Sequence, residues 1–227
     1  MHLLDASRRA IELGPELTVA RDAVIRSVVD EPGLAAKVFH EPPSPPRRLR
    51  LEAMVRSIAI TPSLGDWTAW PRSLLFDAEG MCRGFLMTRV RDGRPVRDLY
   101  DPDARRQHLP LATWQTLAHA AVCAARLFVS LHRYDVVIGD LDDRDLLVAP
   151  DGSVRLVGCD GLYRPGGLAV ARAAIEGVDY VPPELQGVDR RAATRTRNHD
   201  RFALAILAFR LLFMGRHPFA TGGKRVP

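Results

Sequence analysis

The stretch from Val136 to Leu162, VVIGDLDDRDLLVAPDGSVRLVGCDGL, limits most sharply what this chain can fold into. An apolar run, Val136-Val137-Ile138, ends in Gly139-Asp140, and the carboxylates Asp142, Asp143 and Asp145 follow closely. Two short apolar segments, Leu146 to Ala149 and Val154 to Val157, flank Pro150-Asp151-Gly152. Asp-Gly between apolar runs predicts a β-hairpin. Acidic side chains therefore lie in a loop against a hairpin. A second loop leaves the hairpin at Gly158-Cys159-Asp160, so several carboxylates can be aimed into one cleft.

Bulk properties narrow the classes that fit. A chain of 227 residues is one large domain or two small lobes. Its net charge of +5 permits contact with nucleic acid or an acidic partner without arguing for either. The cysteines Cys82, Cys123 and Cys159 are widely spaced, which argues against a disulfide framework and a zinc site. The N-terminal MHLLDASRRAIEL has charges where a signal peptide needs an apolar core. The most apolar run, Phe202 to Met214, contains Arg210 and is too short to span a bilayer. These features predict a soluble, cytoplasmic protein. An EF-hand reading of Asp140 to Asp151 fails, because Asp145 stands where that loop needs glycine.

Along the chain, IELGPELTV and AVIRSVV around Arg21-Asp22 read as strands, and Leu34 to Phe39 as a third. A helix from about Pro46 to Ser57 follows a proline-rich segment, with Leu49, Ala53 and Met54 on one face. Strands at about Ser73 to Asp77 and Cys82 to Val90 complete a small sheet. Leu109 to His132 predicts a long buried helix, with Leu117, Ala121, Ala124, Ala125 and Phe128 at helical spacing. A second buried helix is predicted from about Asn198 to Met214, preceded by an exposed basic loop, DRRAATRTR, over 189–197. His119 and His132 read as core or surface histidines and Cys159 as a buried inert thiol.

Among 32 basic residues only Lys37 and Lys224 are lysine, and Lys37 lies inside an apolar strand. A compact ammonium as a point charge is one reason to write Lys there; a strand-edge lysine reaching water is the other. Taken with its surroundings, Ala35-Ala36-Lys37-Val38 is similar to the VAIK strand of protein kinases. Ile138 to Asp145 resembles the kinase catalytic loop, Pro182-Pro183-Glu184 resembles APE, and Asp200 matches the aspartate that opens helix F. Gly215-Arg216-His217-Pro218-Phe219 resembles the GxxPF that often follows. Gly139 to Val148 and Val181 to Gly187 (VPPELQG) look closest to a divergent bacterial branch with GDxNDRN, DxD and PPELQG motifs, the kinase-like components of stress-response operons.

The resemblance implies an α+β, two-lobe protein-kinase-like fold. An antiparallel-sheet N-lobe with one helix spans about 13–87, a hinge about 88–93, and a mainly helical C-lobe begins near 94, truncated after its second buried helix. It implies that Lys37 contacts nucleotide phosphates and pairs with a helix glutamate, here Glu52, with Glu41 as the alternative. Met87, Thr88 and Val90 fall at the gatekeeper and hinge, where backbone would meet adenine. Asp140 takes the position that orients the substrate hydroxyl, and Asp145 that of a metal-binding asparagine. Asp142 and Asp143 face solvent or brace the loop.

The departures fall on chemistry. The turn between the first two strands, Leu17 to Val24, has no glycine to let backbone close over phosphates. Gly158 stands where the metal-binding aspartate belongs. Asp160, two residues on, faces the same way in an extended segment and is the candidate substitute ligand beside Asp145. The implied cofactors, ATP and Mg²⁺, are then weakly held or lost. Two functions follow from the resemblance: a pseudokinase serving as a regulatory or scaffolding module with a protein partner, or an ATP-dependent Ser/Thr-type kinase with a rearranged metal site.

Overall fold

The computed structural model describes residues 2–60, 63–139, 141–162, 179–188 and 193–220. The chain divides into two compact units, Met1–Val90 and Arg91–Pro227. The α+β class expected from the sequence is what the described residues form.

The first unit is one antiparallel sheet with helices attached. Its strands are β1 (Leu3–Asp5), β2 (Ala10–Ile11), β3 (Leu13–Val19), β4 (Ala23–Val28), β5 (Leu34–Phe39), β6 (Pro71–Phe76) and β7 (Cys82–Thr88), in the order β2-β1-β6-β7-β5-β4-β3. The sheet curls so that Leu3, Ile11, Val28, Ala36, Val38, Leu75 and Leu86 meet in one core cluster. Strands β1 and β2 were not foreseen. At three and two residues they are too short for alternation to show in the sequence.

Alternation decides which side chains leave that core. In β5, Ala36 and Val38 point into the cluster, so Lys37 and Phe39 belong to the other face. Lys37 is flanked in register by Ile25 of β4 and Phe85 of β7. Gly84 is what lets β7 close on β5: a Cβ there would lie 2.0 Å from the Lys37 carbonyl oxygen.

Helix α1 (Pro45–Ile60) begins with two prolines in its first turn, where a missing N–H costs nothing. Its covered positions are Leu51 and Met54, with Val55 and Ile58 half-buried. The expected face of Leu49, Ala53 and Met54 is corrected: Leu49 and Ala53 are exposed. The stripe runs at i, i+3, i+4 and i+7 from Leu51. The Trp70 indole N–H donates to the Met54 carbonyl at 2.9 Å, tying α1 to the chain that returns through the short helix α2 (Leu64–Trp67).

The second unit holds β8 (Arg94–Pro95), helices α3 (Val96–Tyr100), α4 (Pro102–His108) and α5 (Trp114–Arg133), the hairpin β9 (Leu146–Val148) and β10 (Val154–Leu156), and α6 (Arg197–Leu212). The hairpin pairs Val148 with Val154 and Leu146 with Leu156, and Gly152 turns at φ +86. β8 adds to it in the order β10-β9-β8.

Helix α5 starts at a Thr113–Thr116 capping box, not at Leu109, and Leu111 stands exposed before it. Leu117, Ala120, Cys123, Ala124, Leu127, Phe128 and Leu131 form its buried face, whereas Val122 and Val129 are exposed. The helix expected to be buried is thus buried along one face. The 189–197 segment is corrected in part: residues 189–192 lie outside the described residues, but Arg195 is buried and Arg197 opens α6 in an ion pair with Asp135.

Candidate functional site

The expected site residues fall on both units, and each unit presents its own part.

In the first unit, β5 puts the Lys37 side chain beside two aromatic rings. Its Nζ lies 5.8 Å from the centroid of Phe39 and 6.0 Å from that of Phe85, and those rings meet edge to face. The Lys37 side chain is only 10% exposed. Asp22, in the turn from β3 to β4, brings Oδ1 to 3.9 Å from Nζ and Oδ2 to 2.6 Å from Arg47 Nη1. Arg47 stacks over Phe39 with its Cζ 4.2 Å from the ring centroid. The turn that lacks glycine therefore supplies a carboxylate to the lysine. Sequence reading found the missing glycine but not this contact. The available signal was the acid in the turn itself, directly before the strand that pairs with β5.

Glu52 lies on α1 and accepts from Arg48 Nε at 3.0 Å, one helical turn away. Met87 is buried near the end of β7, opposite Ala35 and Pro71. Thr88 pairs with Leu34, and its hydroxyl is buried with no hydrogen-bond partner among the described residues. Val90, half-buried, ends the unit.

In the second unit, Asp200 does the organising. It is 2% exposed at the start of α6. Its Oδ2 accepts from the Ile138 amide at 2.9 Å and its Oδ1 from the Gly139 amide at 2.8 Å. His132 Nε2 lies 2.8 Å from Oδ2. Two backbone donors that no sheet or helix satisfies, Ile138 buried and Gly139 part-buried, are thus held by one carboxylate, which fixes the entry to the acidic loop. His132 serves as a brace for that carboxylate. Asp140, expected as the catalytic residue, lies outside the described residues.

The remaining carboxylates of the loop divide by role. Asp142 makes a two-pronged ion pair with Arg144, with Nε at 3.0 Å and Nη2 at 2.6 Å. Burial pushes the Asp142 carboxyl up, but the hydrogen bonds from Arg144 outweigh it and hold the group below the usual carboxylate value. Asp143 turns inward. It accepts from the Tyr100 hydroxyl and lies 3.6 Å from Arg210 Nη1. Arg210 in turn binds Asp179 and the Tyr180 hydroxyl. Burial pushes the Tyr100 phenol up, and the Tyr180 phenol up to about 12. This cluster joins α3, the acidic loop, residues 179–180 and α6. Sequence reading missed it, because Arg210 stood out only as a charge interrupting an apolar run.

Asp145 is held by its backbone: its amide donates to Asp142 O at 3.0 Å and its carbonyl accepts from Val157 at 2.7 Å. That places its carboxylate against Gly158, whose ideal Cβ would sit 2.8 Å from Oδ1. Gly158 adopts φ 71, ψ 20, the left-handed region that side chains rarely adopt. Asp160 follows in a single 3₁₀ turn, Cys159–Gly161, and is 4% exposed. Carboxylate oxygens suit a hard cation such as Mg²⁺. Among the described residues, though, no three His, Cys, Asp or Glu side chains group as a metal site. The left-handed backbone at Gly158 and the approach of Asp145 leave no room for a larger side chain at that position.

These elements can be set beside known proteins. Solved structures superpose over most of the chain: ROP2 from Toxoplasma gondii, described as a virulence factor with a protein-kinase fold and no enzymatic activity, has a TM-score of 0.64 at 18% identity, covering 92% of this chain and 66% of that one. The fold is protein-kinase-like. The ROP18 kinase domain, solved with AMP-PNP and sucrose, gives a TM-score of 0.65 at 16% identity over 95% of this chain and 68% of that one. Two curated proteins share the kinase-like sequence. Protein kinase YegI of Escherichia coli K12 is 31% identical over 212 residues, covering 92% of this chain and 32% of its own length. Its counterpart in Escherichia coli O157:H7 is 30% identical, covering 96% and 34%. The chain thus spans about a third of the length of these relatives. No protein-family model matches it. No described helix is long and apolar enough to cross a membrane.

Proposed function

We propose that this kinase-like domain is a pseudokinase: a regulatory or scaffolding module that works in the bacterial cytoplasm through a protein partner and carries out no useful phosphoryl transfer. The observation that carries the reading is Gly158. Phosphoryl transfer depends on positioned charge and metal, and the residue that should hold the metal has no side chain and a left-handed backbone. Losing a metal carboxylate worth ~4 kcal/mol in the transition state would slow transfer roughly a thousandfold. The acid in the β3–β4 turn supports the same reading, since Asp22 meets the lysine that would meet phosphate. So does the use of Asp143 in an internal ion-pair cluster.

In this reading the lobes divide near residues 88–93, Lys37 and Glu52 are remnants of the phosphate-binding pair, Met87, Thr88 and Val90 of the adenine hinge, and Asp140 of the catalytic loop. ATP and Mg²⁺ are held weakly or not at all. A partner-facing role fits the resemblance to kinase-like components of bacterial stress-response operons.

Two observations favour a second reading, an active ATP-dependent Ser/Thr kinase. Asp160 keeps a buried carboxylate two residues beyond Gly158, where it could share a metal with Asp145, and the YegI relatives carry a kinase name. A radiolabel-transfer assay with Asp140→Ala as control decides. The pseudokinase reading expects the same background signal in both proteins. Transfer that depends on Asp140 overturns it.

A further inference from the structure

The sheet of the first unit has a cavity on the face away from Lys37. In the β4–β5 register Val24 pairs with Val38 and Arg26 with Ala36. Ala36 and Val38 belong to the core cluster. Val24 and Arg26 therefore point to the core side of the sheet, and Lys37 to the other. The cavity there is about 690 Å³, within the size range of small-molecule sites. Ile11, Leu13, Val24 and Val38 line it, and Leu13 and Val24 are only half-buried.

Arg26 interrupts this apolar lining. Its Nε is buried with no hydrogen-bond partner among the described residues. Glu16 stands opposite it in the β3–β4 register, between two register shifts, yet forms no ion pair with it. Arg47 and Arg210 also have a buried Nε without an acceptor, but Asp22 and Asp179 engage their terminal nitrogens. A partly buried guanidinium with no counter-ion is destabilising, and an anion seated beside it removes that penalty.

We propose that this cavity binds an apolar molecule carrying a single carboxylate, with the carboxylate on Arg26 and the hydrocarbon against Ile11, Leu13, Val24 and Val38. Because the site lies across the sheet from Lys37, it stands whether or not the domain transfers phosphate.

Two features fix the ligand class. A carboxylate matches the planar fork of a guanidinium through two parallel N–H···O bonds. A neutral hydrocarbon would leave Nε without an acceptor, and a cation would meet Arg26. The rest of the lining is acidic: Glu12, Glu16 and Asp30 border the cavity and are exposed. His2 and His40, also exposed, are the other titratable groups there. Three carboxylates around one arginine repel a dianion, such as a phosphate monoester, more than a monoanion.

The test is calorimetric titration of the full chain with decanoate, decanol and decyl phosphate, each below its micelle-forming concentration, in wild type and Arg26→Met. Wild type should bind one decanoate saturably, roughly tenfold more tightly than decanol, the effect of one charge-assisted pair. Decyl phosphate should bind more weakly than decanoate. Arg26→Met should bind decanol still and lose the preference for decanoate, and Arg26→Gln repeats the comparison with a polar, uncharged side chain. The absence of saturable decanoate binding, a preference that survives both substitutions, or decyl phosphate binding as tightly as decanoate overturns the proposal. Thermal unfolding without ligand separates a lost site from a lost fold. Arg26→Met should melt no lower than wild type, because no partner of Arg26 is lost; a lower melting temperature would reveal a structural partner and overturn the proposal as well.

Discussion

An ideal Cβ on Gly158 would lie 2.8 Å from Asp145 Oδ1. The residue before the 3₁₀ turn is thus small because the neighbouring carboxylate takes its space, and because its φ of 71 suits glycine. The two expected metal positions are coupled: filling one disturbs the other.

Gly158→Asp should therefore not simply restore a kinase. A side chain in the left-handed region costs roughly 1–2 kcal/mol, and two carboxylates in one small space repel. In the absence of metal, the variant should melt several degrees lower than wild type, since about 1 kcal/mol shifts a domain this large by roughly 2–4 °C. Asp145→Asn in the same background should recover part of the loss. Added Mg²⁺ should stabilise Gly158→Asp more than wild type. Scanning fluorimetry with a metal titration checks all three; a variant as stable as wild type without metal contradicts the coupling.

Asp200→Ala should be among the most damaging substitutions in the second unit. It strips the Ile138 and Gly139 amides and His132 of their common acceptor. Each buried donor left unsatisfied costs about 1–3 kcal/mol, so a loss of roughly 2–5 kcal/mol is expected. Asp200→Asn keeps one carbonyl acceptor and should fall between. Urea denaturation gives the comparison.

Arg210→Lys should fail to substitute. The guanidinium serves Asp179, Asp143 and both tyrosine hydroxyls from one plane, and an ammonium cannot reach all of them. Breaking a buried ion pair costs roughly 3–5 kcal/mol; with Asp179 one-third exposed, about 3 kcal/mol is expected for Arg210→Met. Urea denaturation of the Lys and Met variants checks this, with Lys expected close to Met.

Stability should fall at high pH through Tyr180. Burial raises its folded value to about 12, against about 10 in the unfolded chain. Between those values the unfolded state gives up the proton and the folded state keeps it, so ionisation favours unfolding as pH rises. Tyr180→Phe should remove that part of the alkaline loss while leaving the neutral and acid limbs in place. Unfolding free energies measured from pH 7 to 11.5 test the slope.

Much of this was legible in the sequence because local rules and tertiary packing agree there. The Asp-Gly hairpin formed where turn chemistry placed it, and Lys37 falls within a strand whose alternation turns it away from the core. Asp200 lies at the head of an apolar helix, as its motif position implied. What was not legible depended on residues meeting across the chain. Asp22 reaches Lys37 only because β4 and β5 pair Ala23 with Phe39. Asp143 meets Arg210 across more than sixty positions, with no local pattern to announce it. The face of α1 was misjudged in part for a different reason: Met54 is covered as expected, but Leu49 and Ala53 suit a helix whether or not they are covered, and only packing selects Leu51 in their place.

The most direct test of the account is the melting temperature of the full chain with saturating ATP, in Mg²⁺ and in EDTA. Were a Mg²⁺-dependent site present, ligand at a hundred times its dissociation constant would add about 2.7 kcal/mol, a shift of several degrees for a chain this size. The account predicts the same melting temperature with and without Mg²⁺. A clear Mg²⁺-dependent rise that Asp145→Ala abolishes would contradict it.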